Sequence, residues 1–197
     1  MLLLIEMIDR ELALSKAQEW QEREPFDAGH DWEHHKEVIN NCLWIVEQEK
    51  LEDKIDLDVL LVAAAWHDFR RGSEDYSVLK SELLVQGVDQ EFISKVIETI
   101  SGHSFGESQT NIEGKVLFDA DKMAYLSPSR ILRVLSAVEN GEMKKETMSR
   151  YGYHFRERIP KIPDLLNFQG TKQQFARLLS EYRKFVESTP ALNEFVV

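Results

Sequence analysis

Apolar positions along this chain recur every three and four residues, and no segment sustains a period-two alternation, so the pattern predicts helices throughout. A first helix is expected over 8–23, ended by Pro25, and a second over 31–50, with Val38, Cys42, Ile45 and Val46 on one face. Asp56 reads as the N-cap of 57–67, an almost wholly apolar and therefore buried helix. Further helices fit 75–86, 89–101, 112–126 and 128–139, the last opened by Ser127 as N-cap and Pro128 at the first helical position. A helix over 142–150 running on toward Arg158 is expected next, and "TKQQ" at 171–174 reads as a capping box opening a final helix to 187. Glycines and prolines punctuate these segments, and neither a repeat nor a low-complexity tract interrupts them. The fold class predicted is an all-α, single-domain helical bundle over 1–197, with about 145–197 as a candidate C-terminal helical extension.

Composition narrows the function classes. Hydrophobic residues at 43% and charged residues at 30% describe a globular chain. The apolar opening "MLLLI" is too short for a secretory h-region, and no run approaches the roughly 18 apolar residues of a membrane helix. A single cysteine, Cys42, permits no internal disulfide, so the expected compartment is the cytoplasm. A net charge of −11 argues against a nucleic acid polymer as partner. It leaves room for a small anionic substrate, because a bound divalent cation supplies positive charge locally.

The candidate chemistry lies in histidines and aspartates on apolar stripes. His67-Asp68 ends the most hydrophobic helix, where two titratable groups need compensation. A metal ion supplies it; so does a plain helix end with a solvated aspartate. In "DAGHDWEHHKEV", His34 shares the inward face of Val38 and Cys42, and His35 is expected to rotate toward solvent. His30 lies four residues before His34, at or ahead of the helix start. An H-x-x-x-H pair alone lacks the glutamate of a zinc-protease motif. In "VLFDADKMAYL", Asp121 falls between Leu117 and Tyr125 on an apolar face. Asp119, rotated about 200° from it, is either solvated or an acceptor supporting a metal ligand.

Together His34, His67-Asp68 and Asp121 form an ordered H…HD…D pattern on three predicted helices. The pattern resembles the signature of the HD-domain metal-dependent phosphohydrolases. "GHDWEHHKEV" is similar to the S-H-D-W-x-H-x-x-R-V motif of a small bacterial branch, and "FDADKMAYL" to its D-A-D-R-L-x-A segment. "ISGHSFG" and "YGYHFRERIPKIPDLLNFQGTKQQFARLL" resemble its later segments, so the likeness runs from about 27 to 185. Glu37 stands where that motif has arginine, and Arg70 and Arg71 stand where an acidic residue is common.

The resemblance implies a divalent metal (Mn, Fe, Co, Ni, Zn or Mg) held by His34, His67, Asp68 and Asp121. The mixed imidazole and carboxylate donors favour a borderline ion over calcium. The implied activity is hydrolysis of a phosphoester or phosphoanhydride in a small phosphorylated compound, plausibly a nucleotide, by metal-activated water. Asp68 and His103 carry the catalytic expectation. His103, in a glycine-flanked loop, can protonate a leaving group, touch phosphate or join a second metal, and a structural helix-end role is equally open to it. Arg70, Arg71, His154, Arg158 and Lys161 are the candidate substrate-binding residues, with a solvated basic face as their alternative. The rival functions are a cyclic or linear nucleotide phosphodiesterase and a non-catalytic nucleotide-binding module. Trp20, Trp32, Trp44 and Trp66 read as core or pocket wall, and Cys42 as a small hydrophobe. The oligomeric state has no signature in the sequence.

Overall fold

A computed structural model describes residues 10–24, 27–69, 75–144 and 146–192. Among these the chain is helical, with no strand: α1 Arg10–Arg23, α2 Trp32–Glu49, α3 Leu57–Trp66, α4 Ser77–Val85, α5 Gln90–Ser101, α6 Ile112–Ala124, α7 Pro128–Glu139, α8 Glu146–Tyr153, α9 Ile162–Leu165 and α10 Gln169–Glu187. The expected start of the first helix at Ile8, its stop at Pro25, and Arg70 and Arg71 lie outside the described residues.

Helix α3 is the axis of the molecule. Every residue from Val59 to Trp66 is buried, with α1, α2, α5 and α6 packed around it. Burying a Val, Leu or Ile side chain stabilises by about 1.5–3 kcal/mol, so a helix without a polar stripe is stable only when enclosed on all sides. Its start is set by Asp56, whose side chain accepts the Val59 N–H at 3.2 Å. Asp31, Asp89, Asn111 and Ser127 cap α2, α5, α6 and α7 in the same way, because each accepts an N–H that the first turn leaves without a helical partner.

Three boundaries depart from the pattern. The helix expected from Glu142 opens at Glu146. Gly141 takes a positive φ of 77°, and the N–H groups of Glu142 and Met143 fold back onto Ala137 O at 2.8 and 3.0 Å, closing α7 instead. Beyond α8 the chain passes through a wide π turn, His154–Arg158, and a 3₁₀ turn, Ile159–Lys161, where Pro160 brings no N–H to continue an α-helix. The capping box at Thr171 does not form. Helix α10 opens at Gln169 after Phe168, which makes no side-chain cap, and Thr171 lies buried within the first turn. The cap comes from α2 instead: Glu49 Oε1 accepts the Gly170 N–H at 2.7 Å, and a Cβ on Gly170 would stand 2.5 Å from that oxygen.

Candidate metal centre

Helices α2, α3 and α6 pack on one another and bring their candidate ligands to one point. Asn41 of α2 fastens the pair further by donating to Ala120 O of α6 at 3.1 Å. His34 projects inward from the first turn of α2, His67 and Asp68 leave the C-terminal end of α3, and Asp121 hangs from the middle of α6. All four are buried. His34 Nε2 lies 3.3 Å from His67 Nε2, 3.5 Å from Asp68 Oδ2 and 3.5 Å from Asp121 Oδ1. His67 Nε2 stands 3.4 Å from Asp68 Oδ2 and 3.9 Å from Asp121 Oδ1. Ligand atoms about 2.1 Å from one ion are separated by about 3.0 Å at right angles and about 3.4 Å at tetrahedral angles. The observed spacings match such a shell. His34, His67 and Asp68 form the tight trio, each offering a donor within 4.8 Å of the others, and Asp121 closes on it through the two imidazoles.

Tautomers follow from the backbone. The Nδ1–H of His67 donates to Ala64 O at 2.8 Å, which leaves the Nε2 lone pair facing the cluster. The C-terminal end of α3 also turns its partial negative charge toward this point, which favours a cation there. Burial opposes ionisation of Asp68, but His67, His103 and His34 around it outweigh burial and hold its carboxyl well below the usual range. Asp121 is likewise opposed by burial and held low by Lys122 and His34. Two anionic carboxylates beside two imidazole Nε2 atoms, of which that of His67 has its lone pair turned inward by the bond from Nδ1–H to Ala64 O, is a donor set that fits a divalent ion of the borderline class.

Lys122 was not singled out by sequence. It is 1% exposed, donates to Asp121 Oδ2 at 2.6 Å and His103 O at 3.0 Å, and its Nζ sits 4.9 Å from the ring centres of Phe105 and Phe118. The single signal for it was a lysine directly after Asp121 in an otherwise apolar stretch.

Two of the sequence expectations about orientation are corrected. His35 does not turn to solvent. It is fully buried, with Nε2 2.8 Å from Gln21 Nε2 of α1 and Nδ1 facing Ala64 O, because α1 and α3 cover the flank of α2 that the pattern assigned to water. Burial and the neighbouring His67 and His34 keep its pKa well below that of free histidine. Asp119 is neither solvated nor directed at the cluster. It is buried and accepts the backbone N–H groups of Asn167 and Phe168 and the Asn167 amide, at 2.9–3.2 Å, tying α6 to the entry of α10. Burial raises its pKa to about 6.

A cleft of about 670 Å³ opens over the cluster, lined by His67, Asp68, Asp121, Lys122, His103 and Arg158 among others. His103 Nε2 stands 3.8 Å from Asp68 Oδ1 while its Nδ1–H points to Ile100 O, and its side chain is 15% exposed. Arg158 lies over the Phe105 ring at 5.3 Å. His154 lines a neighbouring cavity rather than this cleft, and Lys161 is exposed and lines neither. Trp66 is buried and packs with Trp20 and Phe69, while Trp32 and Trp44 lie half-buried against the core. Cys42 is a buried thiol whose pKa burial pushes up.

No family model matches the chain, and no curated protein matches it. Solved structures do. A Lactobacillus plantarum protein is 20% identical over 90% of this chain and 93% of its own, with a TM-score of 0.71. An HD-superfamily hydrolase from Bacillus thuringiensis is 24% identical over 90% of this chain and 93% of its own, at a TM-score of 0.65. Bacillus subtilis YpgQ, solved in complex with ADP, is 23% identical over 91% of this chain and 100% of its own, at a TM-score of 0.62. Among the described residues no helix is long and apolar enough to cross a membrane. The helical order, the enclosed α3 and these likenesses converge on one architecture: the chain has the all-α fold of the HD superfamily.

Proposed function

We propose that this chain is a metal-dependent phosphohydrolase acting on a small phosphorylated compound, a nucleotide in the first instance. The observation that carries the reading is the convergence of His34, His67, Asp68 and Asp121 on the floor of a cleft whose walls add Lys122 and Arg158. A divalent ion bound there lowers the pKa of a water and neutralises charge developing on a phosphoryl group. The remaining tasks fall to the chain. Arg158 provides a planar donor set for phosphate oxygens at the cleft wall. Lys122 keeps Asp121 ionised and oriented through its 2.6 Å contact. His103, with Nδ1–H committed to Ile100 O, presents Nε2 to the cleft, where it is placed to exchange a proton with an attacking or leaving oxygen. The ADP complex of YpgQ supports a nucleotide as substrate class.

The purified chain is expected to carry roughly one divalent metal per molecule and to release phosphate from a nucleotide panel. His67→Ala and Asp68→Ala are each expected to remove both the metal and the activity while circular dichroism remains helical. Metal-free protein with undiminished activity would refute the proposal. Tight nucleotide binding without turnover under supplied Mn or Co would identify a binding module instead.

A further inference from the structure

A second cavity, of about 260 Å³, lies beside the cleft and shares His30, Tyr125 and Arg130 with it as a common wall. None of His34, His67, Asp68 and Asp121 lines it. Its chemistry centres on Arg130, near the start of α7. The side chain is 4% exposed, and its Nε and Nη1 meet no acceptor. Only Nη2 is engaged, 2.7 Å from His30 Nε2. A guanidinium donates and cannot accept, so His30 must present a lone pair at Nε2 and carry its proton on Nδ1, which donates to Asp27 Oδ1 at 2.8 Å. The acceptor of Arg130 is therefore a neutral ring. Among the described residues no carboxylate pairs with Arg130 directly; the Tyr125 ring, 5.1 Å from its carbon centre, gives a cation–π contact.

Burial opposes the charge on Arg130, and Asp121 and Asp68 offset it only through space from the metal cluster, so its Nε and Nη1 donors remain to receive oxygens in this cavity. The walls say what else the occupant must be. Tyr125, Tyr151, Tyr182 and Phe155 face the cavity, with Arg150 exposed at its edge. Asp27 also borders it, with Oδ1 already accepting from Gly29 N and His30 Nδ1. The volume falls just under the range for drug-sized ligands and suits one ring with one acidic group.

We propose that this cavity is an oxyanion-binding site, separate from the metal ligands, that takes a carboxylate or phosphate borne on a flat, partly apolar body, with Arg130 as its anchor. The site does not depend on the hydrolytic reading, and the test keeps the two apart. Benzoate, phenyl phosphate and inorganic phosphate are titrated calorimetrically into the full-length wild type, His67→Ala and Arg130→Gln. An aryl oxyanion is expected to bind the wild type and His67→Ala alike, about tenfold or more tighter than inorganic phosphate, and to weaken at least about tenfold in Arg130→Gln. Comparing benzoate with phenyl phosphate tells carboxylate from phosphate. Thermal denaturation establishes that each variant is folded. Should Arg130→Gln fail to fold, Arg130→Lys, which retains the buried charge and loses the planar fork, carries the same expectation of weaker binding. Aryl binding that disappears in His67→Ala and persists in the folded Arg130 variant would assign it to the metal cleft and overturn the proposal, as would no aryl binding to the wild type.

Discussion

Gly29 offers the sharpest test of how tightly the segment before α2 is fitted. It does not hold a positive φ, so alanine there meets no backbone strain. The obstacle is space: a Cβ at position 29 would stand 1.9 Å from the Tyr151 hydroxyl, 3.1 Å from Val134 Cγ2 and 3.2 Å from Asp27 Oδ1. Ordinary contact begins near 3.4 Å, so the hydroxyl must retreat by about 1.5 Å into the second cavity. Overpacking of this kind costs about 1–3 kcal/mol, and the lower entropy of an unfolded alanine returns about 0.4–1 kcal/mol. Gly29→Ala is therefore expected to destabilise by about 1–2 kcal/mol. Urea denaturation followed by far-UV circular dichroism reads this as a lower midpoint at unchanged slope. Tyr151→Phe removes the obstructing oxygen, so the double variant is expected to lose less than the sum of the two single losses. A Gly29→Ala chain as stable as wild type, or losses that simply add, would refute the close-approach argument.

Two further expectations follow from burial. The neighbouring carboxylates of α6 serve different ends, so Asp121→Asn is expected to lower metal content in elemental analysis of the purified chain, while Asp119→Asn keeps it; loss of metal in both would merge their roles. Cys42 is enclosed and its thiol pKa is raised by burial, so iodoacetamide should modify it on the order of 10³-fold or more slowly in the native chain than in denaturant, as mass spectrometry would show; fast native labelling would contradict the placement of α2.

The helical class was legible because periodicity and capping residues act locally. Asp56, Asp89 and Ser127 close their own first turns whatever else the chain does. His34, His67, Asp68 and Asp121 were readable for a related reason: a titratable group on an apolar stripe must find compensation, and each stripe was visible in its own helix. What escaped was set by packing between helices. His35 was assigned to water because its own helix gave no sign that α1 and α3 would cover that flank. Thr171 looked like a cap because Glu49, more than a hundred residues earlier, is the group that takes the Gly170 N–H. Arg130 carried no local mark at all, since its meaning lies in His30 across the fold.

Enclosure of α3 also has a kinetic consequence. Amide exchange is slowest where opening exposes the most apolar surface, and no other described helix is buried along so much of its length. His67 and Asp68 extend from that helix, and their partners lie on α2 and α6, which pack against it and each other. Fraying of α10 or of the α7–α8 region can thus proceed with the four donors still assembled. A bound ion can leave through the cleft above the donors without any of these helices opening, so stripping it with a chelator is expected to leave slow exchange along α3 intact and the four donors in register to take up metal again without refolding.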